Sequence, residues 1–426
     1  MRYHIWTVGC QINQADSARL GAGLEYLGFE HVERPEDADV VVVNTCAVRE
    51  GAEERAINKL ATLKRIKQRR NGDFKIVMMG CMVGPRTDDL ARRFPFVDVF
   101  ARPQAFDDVL HGLGIETDDL GGEFWPQTTG YTGAPTAFVP VIEGCNKFCT
   151  YCIVPYRRGR ERSRPIAEIQ HEVATLVRSG VREVTLLGQT VEAYGRDLPE
   201  QPDLGDLLCA IHDLPGLERI RFLTSYPRDM TERIMHAVAD LPKVCEAFSL
   251  PVQSGDDDVL RAMRRGYTVA EYRAKIERVR ELMPEASIST DVIVGFPGET
   301  PQQFENSLRL LEELRFDKVH VAAYSPRPGT IAWRRMPDDV PLDEKKRRLQ
   351  AVEALQERIA AEINARLLGT VQEVLIEEVR GGRPTGRSRQ NKLVHIDCPP
   401  EQAPLGAMVR ARITHTSPWA LIGEIA

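Results

Sequence analysis

Three short apolar runs, HIWTVGC, DVVVVNTC and KIVMMGC, each end in a cysteine: Cys10, Cys46 and Cys81. These cysteines lie 36 and 35 residues apart. The stretches between them, ADSARLGAGLEYLGF and EGAEERAINKLATLKRIKQRR, have helical spacing and helix-forming composition. Strands alternating with helices predict a doubly wound parallel sheet over residues 1–116. In such a sheet the carboxyl ends of the strands share one edge, where ligands bind. Cysteines placed after three such ends can converge on one point.

The stretch 116–135, with GGEFWPQTTGYTGAP, has no period and many glycines and prolines, and it reads as a linker. The alternation then resumes. AFVPVIEG, REVTLLGQ, RIRFLTS, EAFSLPVQS, SISTDVIVGF and KVHVAAYSP are strand candidates separated by helical stretches such as IAEIQHEVATLVRSG. Six such units predict a partial (β/α)6 barrel within residues 131–362, and Leu342 to Leu368 reads as one long charged helix. The runs VQEVLIEEV, KLVHID, MVRARITHT and ALIGEIA, separated by glycine turns, predict a small β-barrel at 364–426. The expected fold class is therefore α/β in three domains.

The length of 426 residues exceeds one ordinary domain, and 42% hydrophobic residues suffice for packed cores. A net charge of −6 excludes a chain coated in positive charge but leaves room for one basic face. No apolar run approaches the roughly 18 residues of a membrane span, and MRYHIWTVGC lacks the features of a signal peptide. A cytoplasmic protein without membrane contact is expected. In that reducing compartment its nine cysteines stay unpaired. Cys209, Cys245 and Cys398 sit singly and read as small core residues.

Cys145, Cys149 and Cys152 are different, because CNKFCTYC packs three cysteines into eight residues of a polar, basic loop. A closed zinc site needs four ligands, and no histidine occurs between His111 and His171. A four-iron cluster can be gripped at three corners by one such loop, leaving one iron open for a substrate or cofactor. Cys10, Cys46 and Cys81 again offer three thiols and no matching histidine, which points to a second cluster of the same kind.

CNKFCTYC resembles the signature of the radical S-adenosylmethionine (SAM) enzymes, and the six-unit alternation is similar to their partial barrel. The resemblance implies SAM on the open iron, cleaved by an electron from the cluster to a 5′-deoxyadenosyl radical. GCQINQADS, NTCAVRE, GCNKFCTYCIVPYRRGRER, LPVQSG, IVGFPGET and YSPRPGT resemble the motifs of radical SAM methylthiotransferases along the whole chain. The C-terminal domain looks like their TRAM domain. Membership implies two [4Fe–4S] clusters and two SAM molecules, one as methyl donor and one as radical source. Tyr151 resembles the family's aromatic contact to the SAM adenine. Gln189, Gln253 and Asp291 lie at or near strand ends and are candidate SAM contacts, with Gly295, Pro297 and Gly298 forming a turn beneath the adenosyl group. LLGQT departs from the Gly-Gly-Glu of many radical SAM enzymes, and Thr190 stands where the nearest type more often has asparagine.

NTCAVRE, YCIVPYRRGRE and PVQSG look closest to the enzymes that modify N(6)-dimethylallyladenosine in tRNA. Related enzymes act on threonylcarbamoyl-adenosine in tRNA or on an aspartate of a small-subunit ribosomal protein. RGGRPTGRSRQNK carries Arg380, Arg383, Arg387, Arg389 and Lys392 and no acid, as a loop binding the phosphates and unpaired bases of an anticodon stem-loop would. Arg157 and Arg160, in YRRGRERSR, are placed to guide RNA toward the radical site. KRIKQRR ends a helix, where cations meet the dipole. A monomer is expected, served by a reducing electron donor and a sulfur source. The competing class is a non-catalytic RNA-binding protein whose clusters sense iron or oxygen.

Overall fold

The computed structural model describes residues 1–48, 50–116 and 133–426, so most of the expected linker lies outside the described residues. The first domain contains strands β1 (Arg2–Thr7), β2 (Glu30–His31), β3 (Val40–Thr45), β4 (Lys75–Gly80) and β5 (Val99–Ala101). They form one parallel sheet in the order β2-β1-β3-β4-β5. Alternation along β3 feeds two cores. Val40 and Val42 pack with Leu20 and Leu24 of α1 (Gln11–Tyr26) and with Phe106 and Val109 of α4 (Phe106–Gly112). Val41 and Val43 pack with Ala52, Ala56, Leu60, Leu63 and Ile66, the apolar stripe of α2 (Glu50–Arg69). A shorter helix, α3 (Asp88–Arg93), precedes β5. The chain leaves β1 toward β2 on one side and β3 on the other. That reversal opens a crevice beyond the strand ends at the β1/β3 switch point.

All six expected strands of the second domain are present: β6 (Thr136–Pro140), β9 (Glu183–Leu187), β10 (Arg219–Leu223), β11 (Ala247–Ser249), β12 (Ser287–Val294) and β13 (Lys318–Ala323). They make two parallel three-stranded sheets, β6-β9-β10 and β11-β12-β13, joined by a parallel bridge between Ile220 and Val244. Helices 166–178, 204–212, 232–240, 269–282 and 301–314 cover the outside. Their starts follow the sequence: capping boxes at Asp203/Asp206, Thr268/Glu271 and Thr300/Gln303 satisfy the first free N–H groups. A small antiparallel pair, β7 (Ile142–Glu143) with β8 (Arg162–Ser163), closes the loop that carries CNKFCTYC. The long helix runs from Leu342 to Ala365.

The C-terminal strands β14 (Val371–Arg380), β15 (Arg383–Ser388), β16 (Leu393–Ile396), β17 (Met408–Thr416) and β18 (Leu421–Ile425) close into a barrel around Val374, Ile376, Val394, Ile396 and Ile413. This barrel plugs the floor of the second domain, at the amino ends of its strands. Arg219 and Arg221, early in β10, donate to the carbonyls of Glu373, Arg387, Ser388 and Arg389 at 2.7–2.8 Å. Ser287, at the start of β12, donates to the Gln390 carbonyl. The opposite rim, where the strand carboxyl ends gather, remains for the site.

Candidate active site

The loop after β7 presents Cys145, Cys149 and Cys152. Cys145 and Cys149 are buried and Cys152 is half-buried. The loop is held from several sides. The Cys145 N–H donates to the Gly159 carbonyl at 3.1 Å, the Thr150 N–H to Met263 at 3.1 Å, and the Ala332 N–H to Thr150 at 2.8 Å. Phe148, between two of the cysteines, is left-handed at φ 50°, and so are Gln253 and Thr224 at the neighbouring strand ends, each at φ 72°. Non-glycine residues in that region cost energy and gather at functional sites. Burial pushes the Cys145 thiol up, and burial together with the neighbouring Cys149 pushes the Cys152 thiol up to about 12.

The second triad sits in the switch-point crevice. Gly9, at φ +130°, lets the end of β1 close on the end of β3, and a Cβ there would lie 2.8 Å from the Cys46 Cβ. Asn13 stitches both ends together, donating to the Val8 and Thr45 carbonyls at 2.9 and 3.0 Å. Cys46 and Cys81 are buried and Cys10 is exposed. Burial, aided by the neighbouring Cys46 and Cys10 and opposed by Arg158, raises the Cys81 thiol to about 11. Among the described residues no three His, Cys, Asp or Glu side chains are grouped to hold one metal ion. An iron–sulfur cluster instead takes each thiolate on a separate iron, and binding removes the thiol protons. Two sets of three mutually interacting thiols, four of the six buried, fit that donor chemistry.

One residue links the segment after the first triad to the surroundings of the second. Arg158, just beyond Cys152, donates to Asn13 Oδ1 at 2.8 Å and Asp16 Oδ2 at 2.9 Å. Its charge acts on Cys81 and Cys10. Arg157 also turns inward, its guanidinium against Gly84 and its Nε buried without a partner among the described residues. Arg157 is therefore half-buried and near Cys81 rather than open to solvent. Arg160 remains exposed, over the Phe148 ring at 4.8 Å.

Of the expected SAM contacts, Tyr151 is half-buried with its hydroxyl 3.5 Å from Arg265 Nη1. Gln253 is bridged to β12, its N–H donating to the Asp291 carbonyl at 2.8 Å. Gln189 follows β9 and is half-buried. The Gly295 N–H donates to Glu299, whose carboxylate pairs with buried Arg348 at 2.7 Å. Sequence reasoning missed other residues at the rim. Thr190 Oγ1 lies 3.7 Å from Cys145 Sγ, Arg265 Nη1 lies 3.5 Å from Cys149 Sγ, and Lys147, within the cysteine loop, pairs with buried Asp229. Thr190 and Arg265 stand 45 and 116 positions from the cysteines they approach, so no local signal links them.

The basic segment 380–392 divides in two. Arg389 is bound to Glu246 and to the Pro242 and Val244 carbonyls, and Lys392 pairs with Asp317 at 2.6 Å. Arg387 lies 3.5 Å from Glu377. Arg389 and Lys392 therefore dock the barrel, which corrects their expected place on a free loop. Arg380 and Arg383 remain exposed. Cys209 is exposed, against its expected place in the core, whereas Cys245 is buried near Arg221.

Comparison with known proteins bears on the same regions. Residues 139–311 match the Radical SAM superfamily, and residues 2–101 match Uncharacterized protein family UPF0004. The chain is 48% identical over 429 residues to tRNA-2-methylthio-N(6)-dimethylallyladenosine synthase of Dehalococcoides mccartyi (strain CBDB1), covering 99% of this chain and 98% of that one. It is 49% identical to the protein of that name from Roseiflexus sp. (strain RS-1), covering 100% of this chain and 90% of the relative. Among solved structures, the fold is similar to the radical SAM methyltransferase TsrM from Kitasatospora setae, with a TM-score of 0.55 at 14% identity, over 87% of this chain and 78% of that one. Full-length identity at this level places the chain, as a member, in the radical SAM family of tRNA-2-methylthio-N(6)-dimethylallyladenosine synthases.

Proposed function

We propose that this enzyme places a methylthio group on carbon 2 of N(6)-dimethylallyladenosine, beside the anticodon of tRNA. The observation that most supports this is the pairing of Arg158, in the short helix after Cys152, with Asp16 on α1, where its charge acts on Cys10 and Cys81. When bound, a [4Fe–4S] cluster carrying SAM supplies hydrogen-abstracting radical chemistry, and a second open cluster supplies a seat for sulfur. Cys145, Cys149 and Cys152 would hold the first cluster, and Cys10, Cys46 and Cys81 the second.

The chain's own residues bind, orient and shield. Burial of Cys46, Cys81, Cys145 and Cys149 keeps water from the thiolates. Tyr151, Gln189, Gln253, Asp291 and Gly295 line or support the strand-end rim that would receive SAM. Exposed Arg160, Arg380 and Arg383 would meet the phosphates of the anticodon stem-loop. The boundaries 1–116, 131–362 and 364–426 divide the work into sulfur seat, radical core and TRAM-like RNA module. No described helix is long and apolar enough to cross a membrane. A monomer working in the cytoplasm, fed by an external electron donor and sulfur source, completes the proposal.

Nucleoside mass spectrometry tests it, on tRNA from a host lacking its own methylthiotransferases, with and without this gene. The expected result is a methylthio group on the dimethylallyl nucleoside. A methylthio group on the threonylcarbamoyl nucleoside instead would refute the substrate assignment. An unchanged tRNA pool alongside intact SAM cleavage would point to the ribosomal-protein aspartate.

A further inference from the structure

Arg265 lies in the turn after helix Asp257–Ala262 and is 5% exposed. Its guanidinium is fixed on every side. Nε donates to the Tyr267 hydroxyl at 2.8 Å, Nη2 to the Pro251 carbonyl at 2.9 Å, and Nη1 to Cys149 Sγ at 3.5 Å. The rings of Tyr226 and Tyr267 flank it, with centroids at 4.5 and 5.3 Å. Among the described residues no carboxylate forms an ion pair with it. A buried, unpaired charge is costly, and burial is sustained when an anion faces the group. Two groups of the cysteine loop face Arg265 Nη1, the Cys149 sulfur and the Tyr151 hydroxyl, each at 3.5 Å, and of these the sulfur is the one that becomes anionic when it binds a cluster.

We infer that Arg265 is a positioning residue that holds the Cys149 thiolate and raises the reduction potential of the cluster on Cys145, Cys149 and Cys152. The inference rests on the cluster assignment proposed above. Hydrogen bonds to cluster sulfurs and local net charge are among the factors that set such potentials. One-electron reduction by an external donor adds one negative charge. A guanidinium fixed beside one ligand stabilises that reduced form over the oxidised form, and a neutral residue there does not.

The test uses the full chain carrying Cys10→Ala, Cys46→Ala and Cys81→Ala, reconstituted anaerobically, so that only one cluster is titrated. Arg265→Gln, Arg265→Met and Arg265→Lys are compared with this parent. The readouts are bound iron, circular dichroism and the midpoint potential from an EPR-monitored titration with dithionite. The expected result is a shift to more negative potential in the two neutral variants and a smaller shift in the same direction for Arg265→Lys. Lysine keeps the charge but, being shorter and lacking the fork, draws it back from Cys149. A folded neutral variant that holds its cluster at the parental potential overturns the inference. If both neutral variants lose the cluster, Arg265→Lys decides, and a parental potential there overturns it equally. A parent that binds no cluster would instead defeat the assignment of Cys145, Cys149 and Cys152.

Discussion

Arg158 and Asp16 form an ion pair across two domains, Nη2 to Oδ2 at 2.9 Å, with side chains 2% and 0% exposed. Arg158 ends the short helix after Cys152, and Asp16 lies on α1 after Cys10. The segments that follow the two cysteine sets are thus joined by a buried ion pair. Removing one partner strands a buried charge, which costs about 3–5 kcal/mol, whereas removing both strands none. Arg158→Ala is expected to destabilise the chain strongly, and Arg158→Ala with Asp16→Ala to lose less than the sum of the single changes. Denaturant unfolding of the four proteins measures this coupling. Additive losses would show that the pair does not join the domains energetically.

The two triads are expected to separate chemically. Cys149→Ala should lose about four irons per chain, retain about four, and fail to cleave SAM. Cys46→Ala should lose a similar amount of iron yet still form 5′-deoxyadenosine while transferring no sulfur. Iron analysis combined with anaerobic SAM cleavage distinguishes the two variants. Equal cleavage by both would contradict the division of labour.

Gly144 sets the entry angle of the cysteine loop. Its φ is +70°, and a Cβ there would lie 2.0 Å from the Arg160 carbonyl oxygen, which is backbone and cannot step aside. Gly144→Ala therefore strains the pair β7–β8 by at least about 1–3 kcal/mol. The expected consequence is loss of iron from Cys145, Cys149 and Cys152 with the other triad still loaded, read by iron content and EPR of the reduced protein.

Glu192 gives stability a pH dependence. It is 2% exposed behind β9 and accepts the Tyr226 N–H at 3.1 Å. Burial, with a smaller contribution from Asp229, which is itself paired with Lys147 and Arg196, raises its carboxyl to about 7. The folded state therefore holds a proton that the unfolded state releases near pH 4.5. Its contribution to stability is present below that pH and is lost as pH rises through about 7, on the order of a few kcal/mol in all. Glu192→Gln should flatten this part of the stability–pH curve. An unchanged slope would mean that the carboxyl is ionised in the fold.

Much of this arrangement was legible in the sequence because it is periodic. Val40 to Val43 alternate between two cores, and Cys10, Cys46 and Cys81 recur at the same place in successive strand–helix units. What escaped was whatever depends on two distant segments meeting. Arg265 lies 116 positions from Cys149, and Arg158 lies 142 from Asp16. Arg389 read as a free cation because its partner Glu246 is 143 positions away. A run of basic residues shows charge, but only the fold shows which of those charges are already spent on neighbours.

That division of the basic segment yields a prediction about RNA. Arg380 and Arg383 flank the two-glycine turn between β14 and β15 and both are exposed, Arg383 in a long, solvent-exposed pair with Asp397 at 3.7 Å, whereas Arg389 and Lys392 are 24% and 12% exposed and bound to Glu246 and Asp317. An exposed cation that neutralises a phosphate releases a counterion, so its loss lowers the dependence of log K on log salt by about one per residue. An arginine committed to a carboxylate and two carbonyls has no such contribution to lose. Arg380→Ala with Arg383→Ala is expected to weaken tRNA binding and lower the salt slope by about two, with unfolding unchanged. Arg389→Ala with Lys392→Ala is expected to lower the unfolding midpoint and leave the slope near that of the parent, because the barrel's seat on the floor is what these side chains hold. Filter binding of an anticodon stem-loop across a salt series, with denaturation run in parallel, separates the two pairs. A slope that falls only in the second pair would place the phosphates at residues 387–392 and require the barrel to leave its seat when RNA binds.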